Sequence, residues 1–187
     1  MTQVGNVYGE ALYDLARSEG LDQQILSELG VLSASFNQEP DFLRLLAAPN
    51  VSKEERCQII ESSFRDKVHP YVLNFLKILT EKGYPRHFSD CCEAYRVHFN
   101  ADHGILPVKA VSAVALTEDQ SARLCEKLQA LTGKTIELTN RVDPDVLGGI
   151  RLDYDGKRLD DTVSQRLDDT VSHRMASIRD LRKNTVL

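Results

Sequence analysis

The spacing of apolar residues changes at Gly104, and no single layer of secondary structure absorbs both patterns. Before that glycine they recur three and four apart, the period of a helix; after it they tend to alternate, the period of a strand. A chain of 187 residues can bury one good core or two small ones, and the change of period selects two. The expected fold class is α+β: an N-terminal six-helix bundle over residues 1–104, then a small mixed α/β domain over residues 105–187 with a β-hairpin and a long C-terminal helix.

Punctuation cuts the first region into six helical segments. Tyr8, Ala11, Leu12 and Leu15 make one stripe, which Gly20 ends. Ile25, Leu29, Leu32 and Phe36 make a second, stopped before Pro40, and Phe42, Leu45 and Leu46 form a short third closed by Pro49. Ser52 and Glu55 spell a capping box for a fourth helix carrying Ile59, Ile60 and Phe64. Pro70 suits the first turn of a fifth, with Val72, Phe75, Leu76 and Leu79 inside and Gly83 at its end. The sixth spans about Pro85 to Asn100.

Beyond Gly104, ILPVKAVSAVAL reads as a strand, Thr117 with Gln120 caps a helix that Gly133 ends, and KTIELTNRV reads as a second strand. LGGIRLDY and KRLDD then form a hairpin, because Asp155-Gly156 suits a type I′ turn. The last helix carries Val163, Leu167, Val171, Met175, Ile178 and Leu181. RLDDTVS occurs twice there, at Arg158–Ser164 and Arg166–Ser172, and copies eight residues apart stand about 80° apart on a helix. They cannot present one face. The first copy serves as strand end and helix N-cap, and the second is a local duplication that lengthens the helix by about two turns.

Candidate chemistry is sparse. His87, Cys91 and His98 share one side of the sixth helix, but His98 lies about 16 Å along the axis from His87, so the three cannot hold one ion; packing is the expected role. Gly148 and Gly149 lack the spacing of a phosphate loop and read as backbone permissiveness at a strand entry. No nucleophile motif is present. The expectation is no catalytic residue, no cofactor and no metal. A net charge of -5 argues against nucleic acid as the main partner. The N-terminal residues lack the features of a secretion signal, no apolar run approaches the ~20 residues that span a bilayer, and four cysteines without CxxC spacing suit a reducing compartment. A cytosolic, soluble chain is expected. Arg174, Arg179, Arg182 and Lys183 make a basic end that complements the last helix's dipole or meets an acidic helix.

Taken in order, YGEALYDLA, LAAPNVSKEERCQII, NFLKILTEKG, VSAVALTEDQ and VDPDVLGGIRLDYDGKRLDD resemble the delta subunit of bacterial and chloroplast F-type ATP synthases, the oligomycin-sensitivity-conferring protein of mitochondria. The likeness covers nearly the whole chain. It implies a non-catalytic peripheral-stalk subunit at the cytoplasmic face of the bacterial inner membrane, membrane-associated only through its complex, that links the catalytic head to the b subunits and resists torque. It further implies that the N-terminus of the head's alpha subunit lies as a helix in a groove of Tyr8, Ala11, Leu12, Leu15, Phe75, Ile78 and Leu79. Arg174, Ile178, Leu181 and Arg182 are the corresponding expectation for the b subunits. Rival readings are a helical adaptor of another complex and a His/Cys metal protein. Three features depart from the pattern: Gly9 replaces the usual Ala after the Tyr, Arg86 follows Tyr84 and Pro85 rather than the turn directly, and RLDDTVS is duplicated.

Overall fold

A computed structural model of the chain describes residues 2–48, 50–146, 148–154 and 156–160. The chain divides into two compact units, residues 1–102 and the residues from 103 onward. Together the described residues hold seven α-helices and a four-stranded mixed sheet, an α+β arrangement.

The first unit contains α1 (Gln3–Ser18), α2 (Asp22–Gln38), α3 (Pro40–Leu46), α4 (Lys53–Phe64), α5 (Pro70–Glu81), a single 3-10 turn (Pro85–His87) and α6 (Phe88–Asp102). The sixth helix therefore starts three residues later than Pro85 and runs two beyond Asn100. Its start is later because Pro85 opens the tighter turn, where the Phe88 N–H reaches back to the Pro85 carbonyl. Ser52 caps α4 reciprocally: its Oγ accepts from the Glu55 N–H at 3.2 Å, and Glu55 Oε2 accepts from the Ser52 N–H at 3.0 Å.

Two helices end alike. At α1, Gly20 has φ 67° and the Leu21 N–H bonds the Ala16 carbonyl at 2.9 Å. At α5, Gly83 has φ 80° and the Tyr84 N–H bonds the Leu79 carbonyl at 2.7 Å. Each is a Schellman closure, which needs a left-handed residue and so favours glycine.

The core of this unit is aromatic at its centre. Phe36 stacks on Phe42 at 5.5 Å and meets Phe64 and Phe88 edge-on at 6.0 and 5.0 Å, so one ring joins α2, α3, α4 and α6. On the opposite flank α1 runs parallel to α6, and α4 packs on α5. The α1–α6 contact rests on two glycines. A Cβ at Gly5 would sit 2.6 Å from the Asp90 Cβ, and one at Gly9 would sit 2.5 Å from the Cys91 carbonyl oxygen and 2.7 Å from the Ala94 Cβ. Gly9 is thus what lets the backbones approach.

The second unit contains β1 (Ile105–Ser112), α7 (Glu118–Thr132), β2 (Thr135–Val142), β3 (Ile150–Tyr154) and β4 (Lys157–Asp160), in the sheet order β2-β1-β3-β4. β1 and β2 are parallel, joined through α7; β3 is antiparallel to β1 and to β4. Leu106, Val108, Ala110 and Leu152 on one face meet Leu128 of α7, with Leu124, Ile136 and Leu138 around them. Strand β1 stops at Ser112, four residues short of the run ending at Leu116. Asn140 of β2 ends it: its Nδ2 donates to Ser112 Oγ at 3.0 Å and to the Ala110 carbonyl at 3.3 Å, while its Oδ1 accepts from the Leu116 N–H at 3.2 Å. Ser112 Oγ donates to the Val114 carbonyl, folding the chain away from the sheet.

Gly148 and Gly149 take φ 80° and 85° just before β3, so they serve the strand entry. The hairpin closes with Tyr154 opposite Lys157 and Gly156 at φ 69°. Its other turn residue, Asp155, lies outside the described residues, as do Pro49 and all of residues 161–187. The expected long C-terminal helix, the second RLDDTVS copy and the sites Arg174, Ile178, Leu181 and Arg182 therefore lie outside them too.

Candidate functional site

Helix α1 carries apolar residues on two faces. Gly5, Gly9, Leu12, Tyr13 and Ala16 are buried, and at 100° per residue they fill an arc of about 100°. Val4, Val7, Tyr8, Ala11 and Leu15 fill a second arc of similar width beside it. Val7 is 58% and Leu15 41% exposed, Ala11 is exposed, and Val4 and Tyr8 are half-buried. A helix with one partner needs only one such arc. The second arc is available to another.

α5 carries the other residues expected to line the groove. Val72, Phe75, Leu76 and Leu79 are buried, whereas Ile78 is 44% exposed. The Schellman turn places Tyr84, and its ring meets Tyr8 at 6.2 Å, fixing where α1 and the end of α5 come together.

These positions sort the expected groove residues. Tyr8, Ala11, Leu15 and Ile78 are accessible. Leu12, Phe75 and Leu79 are 5%, 6% and 1% exposed, so they belong to the core and have no surface to offer a partner. The difference between Leu12 and Leu15 is their neighbour: Leu12 shares an arc with the glycines that seat α6, and Leu15 does not. Val4 and Val7 share the exposed arc and Tyr84 meets Tyr8, and none of the three was among the expected groove residues. The signal for the valines was the i, i+3, i+4, i+7 and i+11 repeat Val4, Val7, Tyr8, Ala11 and Leu15.

The seam beneath the surface is polar at both ends. At the start, Thr2 caps α1 by accepting from the Gly5 N–H and donates its hydroxyl proton to Asp90 Oδ2 at 2.7 Å. That bond, opposed by partial desolvation and helped by His87, holds the Asp90 carboxyl below its usual range. At the far end Asp102 accepts from Tyr13 OH at 2.8 Å and pairs with Arg17 at 2.5 Å. Burial, then the bond to Asp102 and its charge, push the Tyr13 phenol up to about 12. Tyr13 also packs edge-on to Tyr95 and stacks on His98.

Tyr13 carries a testable pH dependence. The folded state holds the phenol proton more tightly than the unfolded chain, whose group titrates near 10.0. The stabilisation is therefore complete below pH ~10 and disappears as the pH rises toward 12. Melting temperatures at pH 9, 10 and 11 should fall along that series, and Tyr13→Phe should flatten the fall while lowering the value at pH 9 by removing the bond to Asp102 (roughly 1–2 kcal/mol). An unchanged slope in the variant would show that other groups set the alkaline limit.

His87 is bound to Thr2 and Asp90, His98 stacks on Tyr13, and Cys91 is buried, its thiol pushed up to about 11 first by burial and then by Asp90. Burial pushes the Cys92 and Cys57 thiols up as well. Thiols held protonated are poor ligands and poor nucleophiles. Among the described residues no three His, Cys, Asp or Glu side chains stand together to hold a metal ion, and no helix is long and apolar enough to cross a membrane.

Comparison with known proteins identifies the family. The sequence profile described as ATP synthase delta (OSCP) subunit matches residues 4–173. ATP synthase subunit delta of Alkaliphilus oremlandii is 32% identical over 160 residues, 86% of this chain and 89% of the relative. The protein of the same name from Gloeobacter violaceus is 32% identical over 150 residues, 79% of this chain and 81% of the relative. Among solved structures, a chain of the Toxoplasma gondii mitochondrial ATP synthase hexamer superposes with a TM-score of 0.72 at 16% identity, over 93% of this chain and 98% of that one, which shows a shared fold.

Proposed function

The chain belongs to the ATP synthase delta (OSCP) subunit family, and from that premise we propose that it tethers the catalytic head of an F-type ATP synthase to the b subunits. The family is a non-catalytic component of the peripheral stalk, and the chain is such a subunit. In this reading its first unit is a six-helix bundle that receives the alpha-subunit N-terminus as a helix against Tyr8, Ala11, Leu15 and Ile78, with Leu12, Phe75 and Leu79 as the floor beneath. The second unit meets the b subunits, with Arg174, Ile178, Leu181 and Arg182 as contacts. The protein sits at the cytoplasmic face of the bacterial inner membrane through its complex.

What supports this reading is the second apolar arc of α1, exposed at Val7 and Leu15, together with the exposed Ile78 of α5. Helix-in-groove recognition uses anchors at such i, i+3, i+4 and i+7 spacing. A stator must hold while the rotor applies torque, and that requires slow dissociation. Apolar contacts that exclude water supply it without any reacting group.

The test is calorimetric titration of the full chain with a synthetic peptide of the alpha-subunit N-terminus from the same organism. One-to-one binding in the micromolar range or tighter is the expected result. A folded chain that gives no heat and no change in tyrosine fluorescence would overturn it.

A further inference from the structure

Resting on the reading that α1 and α5 seat a helix, we propose that the acidic outer rim of α1 makes this seat selective for a helix with a cationic flank. Glu10 and Asp14 are exposed and stand one turn apart, about 60 to 100° around the helix from Ala11 at the centre of the exposed arc. They border the arc on the side away from Tyr8. Neither has an ion-pair partner among the described residues, although Arg17, Arg44, Arg65, Lys77 and Arg96 all do.

Their own helix offers no relief. Arg17 lies three residues beyond Asp14 but is committed to Asp102 at the end of α6, and the other neighbours one turn away are the uncharged Asn6, Val7, Ala11, Tyr13 and Ser18. Like charges at this spacing repel, costing a few tenths of a kcal/mol in the free protein. On α5 the exposed Asn74 is neutral, and Lys77 is held by Glu61 of α4. Lys82 and Arg86 belong to the end of the seat marked by Tyr84, whereas Asp14 lies six residues, about 9 Å, along the axis from Tyr8. A helix lying on Val7, Ala11 and Leu15 brings its flank over this carboxylate pair. Lys or Arg there, one turn apart, answers both charges and removes their repulsion. The apolar arc supplies the contact, and the rim discriminates between helices of equal hydrophobicity.

The probe is the alpha-subunit N-terminal peptide in three forms that carry Lys, Gln or Glu at the i, i+4 pair flanking its apolar face, scanned over each such pair. Titrated into the full chain at about 20 mM salt, the Lys form at the correct pair should bind about 3- to 10-fold more tightly than the Gln form, and the Glu form more weakly. The advantage should vanish at about 0.5 M salt, where the Debye length is a few ångströms. The double variant Glu10→Lys, Asp14→Lys should reverse the order, preferring the Glu form. Equal binding of all three forms at low salt, or an order that survives the double variant, overturns the selectivity while leaving the seat intact. If no form binds, the seat itself is wrong, and the inference falls with it.

Discussion

Gly9→Ala should destabilise the first unit by about 2 kcal/mol, while Gly30→Ala should stabilise it by about 0.5–1 kcal/mol, although both replace a glycine inside an α-helix. By propensity alone each substitution gains up to about 1 kcal/mol, since glycine loses more backbone freedom than alanine on folding. At Gly30 nothing lies within 4 Å of the added methyl, and the gain is realised. At Gly9 the methyl meets the Cys91 carbonyl oxygen at 2.5 Å and the Ala94 Cβ at 2.7 Å, with the Tyr95 amide nitrogen at 3.2 Å. Backbone cannot rotate away as a flexible side chain can. The helices must separate, and separation loosens Gly5 against Asp90 as well as the Tyr13 and Arg17 contacts to Asp102. In calorimetry of the full chain the transition of the first unit should drop by roughly 10 °C in one variant and rise by a few degrees in the other. Two shifts of the same sign would mean that the α1–α6 distance is less tightly fixed than these contacts require.

That contrast also marks where the sequence was readable. Helix ends were, because caps are local chemistry: Ser52 with Glu55, Thr117 with Gln120, and the glycines after α1, α5 and α7 all take the roles their spacing implied. The strand-helix-strand order was readable too, and in the structure β1 and β2 pair parallel across α7. Gly9 was legible only as a departure from the family pattern with a propensity cost, because the compensating gain comes from α6, some eighty residues away. The end of β1 was hidden for a similar reason. AVAL continues the apolar run, but Asn140 reaches from β2 and turns the chain at Ser112. In the candidate site, periodicity found the stripe Tyr8, Ala11, Leu12 and Leu15 and could not divide it. A two-sided helix has two overlapping arcs, and only the position of its neighbours decides which residue serves which.

The division of that stripe sets the largest expected effects on binding and on stability, and they fall on different residues. Leu12→Ala and Leu79→Ala remove side chains that are 5% and 1% exposed, so each should cost about 2–4 kcal/mol of stability. Measured well below the melting temperature, the remaining folded protein should bind the alpha-subunit peptide within a few-fold of the parent. Leu15→Asp and Ile78→Asp act the other way. Their side chains are 41% and 44% exposed, so an aspartate keeps much of its hydration in the free protein, and stability should fall by only about 1 kcal/mol through lost partial burial and lower helix propensity. On binding, that carboxylate would be pressed against an apolar helix without a partner, and affinity should fall about 100-fold. Ala11→Asp at the centre of the arc should lose at least as much, with a small additional loss of helix stability. Affinity unmoved by all three aspartates, in protein that melts normally, would place the alpha-subunit helix elsewhere on the molecule. Paired thermal melts and titrations of these five variants therefore separate a residue that builds the wall from one that touches the guest.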